Sequence, residues 1–259
     1  MSALAHDRRV ELFGVDVAAL TLAETVDYCE SLIGAGGTHH HVSLNAAKVV
    51  KISTDERLRL VTAAADIVSA DGMSIVWGGR VLGRRLPERV AGIDLMEALL
   101  ARAAHVGHRV YFLGGEESVV AAAACEEARR YPGLRVAGFR NGFWAPDEEE
   151  EVVAAVAAAR ADILFVALPT PRKEEFAERH RAALNVRLVV GVGGSFDVVA
   201  GRVPRAPEWM RKSGLEWLHR LLQEPGRMAG RYFVGNTMFL FMLTRELLRG
   251  REWSRTPRP

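Results

Sequence analysis

"RVYFLGGEESVVAAAACEEARRYPGLRVAGF", residues 109–139, sets two short apolar runs on either side of a stretch with helical spacing. Residues 109–115 are β-branched and aromatic and end in two glycines. Residues 116–131 repeat Val, Ala and Cys near a 3.6-residue period, Pro132-Gly133 breaks that period, and 134–139 are apolar again. Strand, helix and strand joined by short turns form a βαβ unit, whose two strands must run parallel.

The same alternation continues in both directions. "RRVELFGV" (8–15), "HHHVSL" (39–44), "ADIVSA" (65–70), "DILFVAL" (162–168) and "VRLVVGVGG" (186–194) read as strands. Between them, residues 46–65, 92–107, 147–161 and 171–184 carry helical spacing, and 21–37 form a helix opened by Thr21 with Glu24 at capping-box distance. The acidic run 147–151 suits the positive end of the helix it opens. Short apolar strands alternating with helices predict a doubly wound, mostly parallel α/β sheet with helices on both faces, Rossmann-like in architecture. These units are complete by Asp197, so residues 1–201 are expected to form the α/β domain. Residues 202–259 then form a basic, aromatic-rich helical appendage, and a chain ending at Gly201 is expected to fold.

Composition narrows the function classes. With 259 residues and a net charge of +2, the chain is no general polyanion binder, and no nucleic-acid partner is expected. Cys29 and Cys125 fall in helical patterns and read as buried thiols. The N-terminal residues contain no apolar signal-type run, and the longest apolar stretch, 232–243, is too short to span a bilayer but long enough to dip into one. A cytoplasmic protein peripheral to the membrane is the expectation. His39-His40-His41 does not read as a metal site, because neighbours on a strand face opposite sides.

In a parallel sheet the ligand crevice lies beyond the C-terminal strand ends. The residues there are Ser43 and Asn45, Asp71, Gly114-Gly115, Asn141-Gly142, the run Thr170 to Glu174, and Gly193-Gly194 with Asp197. The two glycine turns let backbone amides approach a phosphate, or simply allow a tight strand-to-helix turn. Asp71 is placed to be either a helix cap or a catalytic carboxylate. Arg89, in a loop before the helix beginning near Ile93, is suited to hold a diphosphate or to make a surface ion pair. Neither glycine turn completes a dinucleotide fingerprint, which disfavours an NAD-type oxidoreductase on the same fold.

Taken in order, "VSLNAAKVV", "ADIVSADGMSIV", "ERVAGIDL", "LPTPRKEEF", "GVGGSFDVVAGRVPRAPEWM" and "GLEWLHRLLQEPGRMAGRY" resemble the WecG/TagA/CpsF glycosyltransferase family. The resemblance implies an inverting, metal-independent transfer of N-acetylmannosamine, glucose or a related hexose. The donor is a UDP-sugar and the acceptor a polyprenyl-diphosphate-linked saccharide, in the synthesis of bacterial cell-surface polysaccharide, with no cofactor. It implies Asp71 as general base, with Ser43, Asn45 and Arg89 in the catalytic group. Gly114, Gly115, Lys173, Glu174, Gly193, Gly194 and Asp197 would line the substrate site, and Arg220, Arg227 and Arg231 of the appendage would close over the phosphates. The appendage would face an anionic membrane surface on the inner leaflet, and a homo-oligomer stays open. Lys173 replaces the family's usual glutamine, which points to a different donor sugar because an ammonium has donors only. An inactive membrane-peripheral scaffold is the non-enzymatic alternative.

Overall fold

The structure, a computed structural model, describes the backbone of residues 8–223 and 225–253; the side chains at 212, 220, 225, 227–234 and 249–253 lie outside the described residues. Those of Arg220, Arg227 and Arg231 are therefore among the latter.

Eight strands occur among the described residues: Arg9–Leu12 (β1), Val15–Ala18 (β2), His39–Leu44 (β3), Ile67–Ala70 (β4), Arg109–Gly114 (β5), Arg135–Arg140 (β6), Ile163–Ala167 (β7) and Leu188–Gly191 (β8). The helices are Leu22–Ala35 (α1), Ala46–Ile52 (α2), Glu56–Ala63 (α3), Met73–Val81 (α4), Gly92–Val106 (α5), Glu117–Arg130 (α6), Glu149–Ala158 (α7), Arg172–Arg179 (α8), Ser195–Val199 (α9), Glu208–Lys212 (α10), Glu216–Gln223 (α11) and Pro225–Trp253 (α12). Six strands make one sheet in the order β4-β3-β8-β7-β5-β6, every pairing parallel.

Alternation along the strands divides the core between the two faces. Val110, Phe112, Ile163, Phe165, Leu188 and Val190 pack with α1, α5, α6 and α9, and Phe112 lies 5.8 Å from Phe165 and 5.6 Å from Phe196 between ring centroids. The intervening Tyr111, Leu113, Leu164, Val166 and Val189 pack with α7 and α8. This is the doubly wound sheet that the sequence predicts. The capping box forms, with Thr21 accepting from the Glu24 amide and the Glu24 carboxylate accepting from the Thr21 amide.

Two expectations need correction. Residues 8–15 are not one strand of the sheet, because Phe13 and Gly14 take positive φ of 55° and 75° and turn the chain into the antiparallel β1–β2 hairpin. Cys125 is exposed, since it falls on the solvent side of α6, whereas Cys29 is buried and its thiol is pushed up to about 12 by that burial. The appendage also does not hang free of the core. Phe239 of α12 is 4% exposed and sits in the cluster that holds Leu12, Val17, Val42, Leu44 and Val49, with Met242 and Leu243 packed beside it. A chain ending at Gly201 would uncover that cluster. The neighbouring Leu240 and Phe241 are exposed at 59% and 62%, because one helix face meets the core and the other meets solvent.

Candidate active site

All six strands point their C-terminal ends to one edge, and the helices that follow the neighbouring strands β3 and β8 leave on opposite faces. A crevice opens there. Asn45 and Asp71 stand side by side at its rim: the Asp71 amide donates to Leu44 O at 2.7 Å, and a Cβ on Gly72 would lie 3.8 Å from Asn45 Cβ. Asn45 caps α2 by accepting from the Lys48 amide at 3.0 Å. Its amide nitrogen is not used in that cap. Gly72, with φ 130°, holds the N-cap position of α4 and offers no side-chain cap. Ser43 is 6% exposed, and its hydroxyl has no hydrogen-bond partner among the described residues. Gly92 at the start of α5 faces it, for a Cβ there would stand 3.5 Å from Ser43 Oγ.

Arg89 approaches from the loop before α5. Its guanidinium donates to Glu216 at 2.7 Å and to Asp94 at 3.3 Å, and lies close enough to Asp71 to feel its charge. Burial alone would push its pKa down, but the carboxylates of Glu216, Asp71 and Asp94 together more than reverse this.

Near Asp71 lies a charged cluster of which sequence reading named Lys173 and Glu174 but missed Lys48. The Lys48 ammonium, 4% exposed, meets Glu174 Oε1 at 2.6 Å, and Lys173 meets the same oxygen at 3.1 Å. Thr170 Oγ1 takes a hydrogen bond from Lys173 and donates to Glu174 at 3.2 Å, while Lys51 donates to Thr170 O at 2.8 Å. Burial pushes the Lys48 amine down to about 8, against the pull of Glu174, and Asp71 also acts on it. Burial pushes the Glu174 carboxyl up, and the two ammoniums outweigh that push to hold it below the usual range. Lys48 was legible only as part of "NAAK", three residues after the cap. Nothing in the sequence announces its partner on α8.

Other expected residues sit farther along the edge. Gly114, with φ 122°, touches β7 so closely that a Cβ would lie 2.4 Å from Ala167 O, and a Cβ on Gly142 would lie 3.1 Å from the Gly114 Cα. These contacts give the Gly114-Gly115 turn a packing reason of its own. Gly193, with φ 55°, has open space about it, and Gly194 is exposed, so the β8–α9 turn faces the crevice mouth. The carbonyl of Asp197 accepts the amides of Arg202 and Val203 and pins the exit from α9. The three histidines do not converge. His39 bonds Asp66 at 2.9 Å and His41 bonds Ser69 at 2.8 Å, while His40, on the opposite face of the strand, is buried and pushed down to about 4.

Residues 10–253 match the Glycosyl transferase WecG/TagA/CpsF family. The chain belongs to that family. It is also similar to the N-acetylglucosaminyldiphosphoundecaprenol N-acetyl-beta-D-mannosaminyltransferase of Bacillus spizizenii, 37% identical over 171 residues that cover 66% of this chain and 66% of that protein. The match to the family runs through both the sheet and the appendage, so the crevice and α11–α12 belong to one unit of descent.

Proposed function

We propose that this protein transfers a hexose, N-acetylmannosamine before glucose or a relative, from a UDP-sugar to a polyprenyl-diphosphate-linked saccharide in cell-surface polysaccharide synthesis. The observation that carries this reading is the placement of Asp71 at the end of β4 between two cations, Lys48 and Arg89, in the crevice of a chain from this family. The mannosaminyl donor follows the relative from Bacillus spizizenii, whose name also specifies the diphosphoundecaprenol acceptor and the β product.

In this reading the Asp71 carboxylate takes the proton of the acceptor hydroxyl as its oxygen attacks the anomeric carbon, which inverts that centre when the donor is α-linked. Lys48 and Arg89 favour the ionised carboxylate that a base requires. Arg89, with the appendage arginines Arg220, Arg227 and Arg231, offsets charge on the departing UDP, and the free amide nitrogen of Asn45 with the Ser43 hydroxyl orients the sugars. Gly193, Gly194 and Asp197 border the nucleotide, with Gly114 and Gly115 at the far side of the crevice. Transfer needs no metal in this reading. Association with an anionic inner-leaflet surface would use the exposed Met238, Leu240, Phe241 and Leu248 on α12.

The test is a screen of UDP-sugars against polyprenyl-diphosphate-GlcNAc, read by product mass. A β-linked disaccharide product with release of UDP supports the assignment. No product with any UDP-hexose, from folded protein, would refute it and favour the inactive scaffold. Stabilisation by NADH and not by UDP would favour the oxidoreductase.

A further inference from the structure

The guanidinium of Arg89 is already engaged on the edge that a phosphate needs. Bidentate phosphate binding uses two N–H donors side by side. In Arg89, Nη1 donates to Glu216 Oε2 and Nη2 to Asp94 Oδ2, and the side chain is only 14% exposed, which leaves little room for a third anion.

The two carboxylates are not held alike. Asp94 lies in the first turn of the 15-residue α5, where the helix dipole favours an anion, and it is also paired with Arg205 and, at 3.8 Å, with Arg211. Among the described residues, Glu216 pairs with Arg89 alone. It opens α11, a short helix of the appendage, and its carboxylate ties that helix to the loop before α5. An incoming diphosphate carries more charge than a carboxylate and offers several oxygens, so Glu216 is the partner it would replace.

We propose that Glu216 is a built-in stand-in for the ligand phosphate, occupying its position on Arg89 in the empty protein and yielding it when a diphosphate binds. This rests on the reading of Arg89 as the diphosphate residue. The exchange couples occupancy to the appendage, because losing the Arg89 contact frees the start of α11. Arg220 lies four residues further along the same helix, one turn away.

Titration calorimetry of the full chain with UDP and with inorganic pyrophosphate, at fixed low salt, tests the exchange. Glu216→Gln keeps the shape but removes the competing charge, and should bind both ligands roughly threefold to tenfold more tightly. Glu56→Gln, which removes a charge from the exposed end of α3, should leave affinity unchanged. Hydrogen exchange on the unaltered protein is the second measurement, with α11 amides expected to exchange faster once pyrophosphate is added. Equal or weaker binding by Glu216→Gln, or unaltered exchange in α11 at saturation, overturns the stand-in role. If the unaltered protein binds neither ligand, or binds both as well after Arg89→Ala, the reading of Arg89 falls and the stand-in role with it.

Discussion

Phe239 decides whether the last helix is part of the folded core or a passenger on it. Its ring is 4% exposed, tilted 56° against Phe13 with centroids 5.3 Å apart, and it stands 3.3 Å from where a Cβ on Gly78 would be. Cutting a buried Phe to Ala removes its transfer free energy and leaves a cavity, about 3–5 kcal/mol in total. For a chain of this size each kcal/mol moves Tm by about 2–4 °C, so Phe239→Ala should melt on the order of 10 °C lower. Two positions on, Phe241 is 62% exposed, and Phe241→Ala should stay within about 0.5 kcal/mol. Urea unfolding followed by tryptophan fluorescence and by circular dichroism measures both at constant m. The partner ring supplies an internal control, since Phe13→Ala and Phe239→Ala should couple by about 0.5–1.5 kcal/mol in a double-mutant cycle. Equal midpoints for the two α12 variants would sink the reasoning, because α12 would then contribute nothing to the cluster that encloses Phe239.

Asp71→Asn should lower turnover roughly 10²–10⁴-fold and leave UDP affinity near that of the unaltered protein, and an unchanged rate in the folded variant would remove Asp71 as the base. Activity should survive excess EDTA; loss restored by Mg²⁺ or Mn²⁺ would show that a metal takes part. Gly114→Ala drives a methyl into Ala167 O at a φ of 122° and should destabilise by about 2–5 kcal/mol, whereas Gly193→Ala, in open space at φ 55°, should cost only about 1–2 kcal/mol of backbone strain; comparable melting temperatures would contradict this. Glu127 is fully buried with both carboxylate oxygens unpartnered among the described residues, and burial pushes its pKa up to about 7. The folded state therefore keeps a proton that the unfolded chain releases above the ordinary value of 4.5, and stability falls as pH rises from there through about 7. Glu127→Gln removes that loss, so its Tm should gain on the unaltered protein between pH 5 and 8; a pH-independent difference would refute the assignment.

The sheet was legible because its strands are buried on both faces and bounded by glycine and proline, so short apolar runs stand out without alternation. The β1–β2 hairpin was hidden for a related reason. Its turn is Phe13-Gly14 inside a continuous apolar run, and only the backbone reveals two positive φ angles there. At 232–243 the run looks apolar all round, so sequence cannot say that Phe239 turns inward while Phe241 turns out; that depends on how α12 lies against α2 and α4. The crevice residues were legible as strand-end positions, since topology alone puts Ser43, Asn45 and Asp71 at one edge. Their counterions were not. Lys48 meets Glu174, and Arg89 meets Glu216, across long separations that no local pattern encodes.

Those counterions change the meaning of the one departure from the family pattern. Lys173, in place of a glutamine, points to a donor sugar matched to a cation only if its ammonium reaches the crevice unpaired. Instead the stem crosses the end of β8, with Cδ and Cε 3.2 Å from where a Cβ on Gly191 would be, and the ammonium turns to Thr170 and Glu174. Its charge is met within the protein, by the same carboxylate oxygen that meets Lys48. Two ammoniums on one buried carboxylate leave a positive balance under the crevice floor, and a partly desolvated cation acts over longer range than one in water. That field acts on Asp71 and on any phosphate that enters, whatever hexose the phosphate carries. The Lys173 charge is thus met by an internal ion pair, so the substitution gives no reason to move N-acetylmannosamine from the head of the proposed donor series.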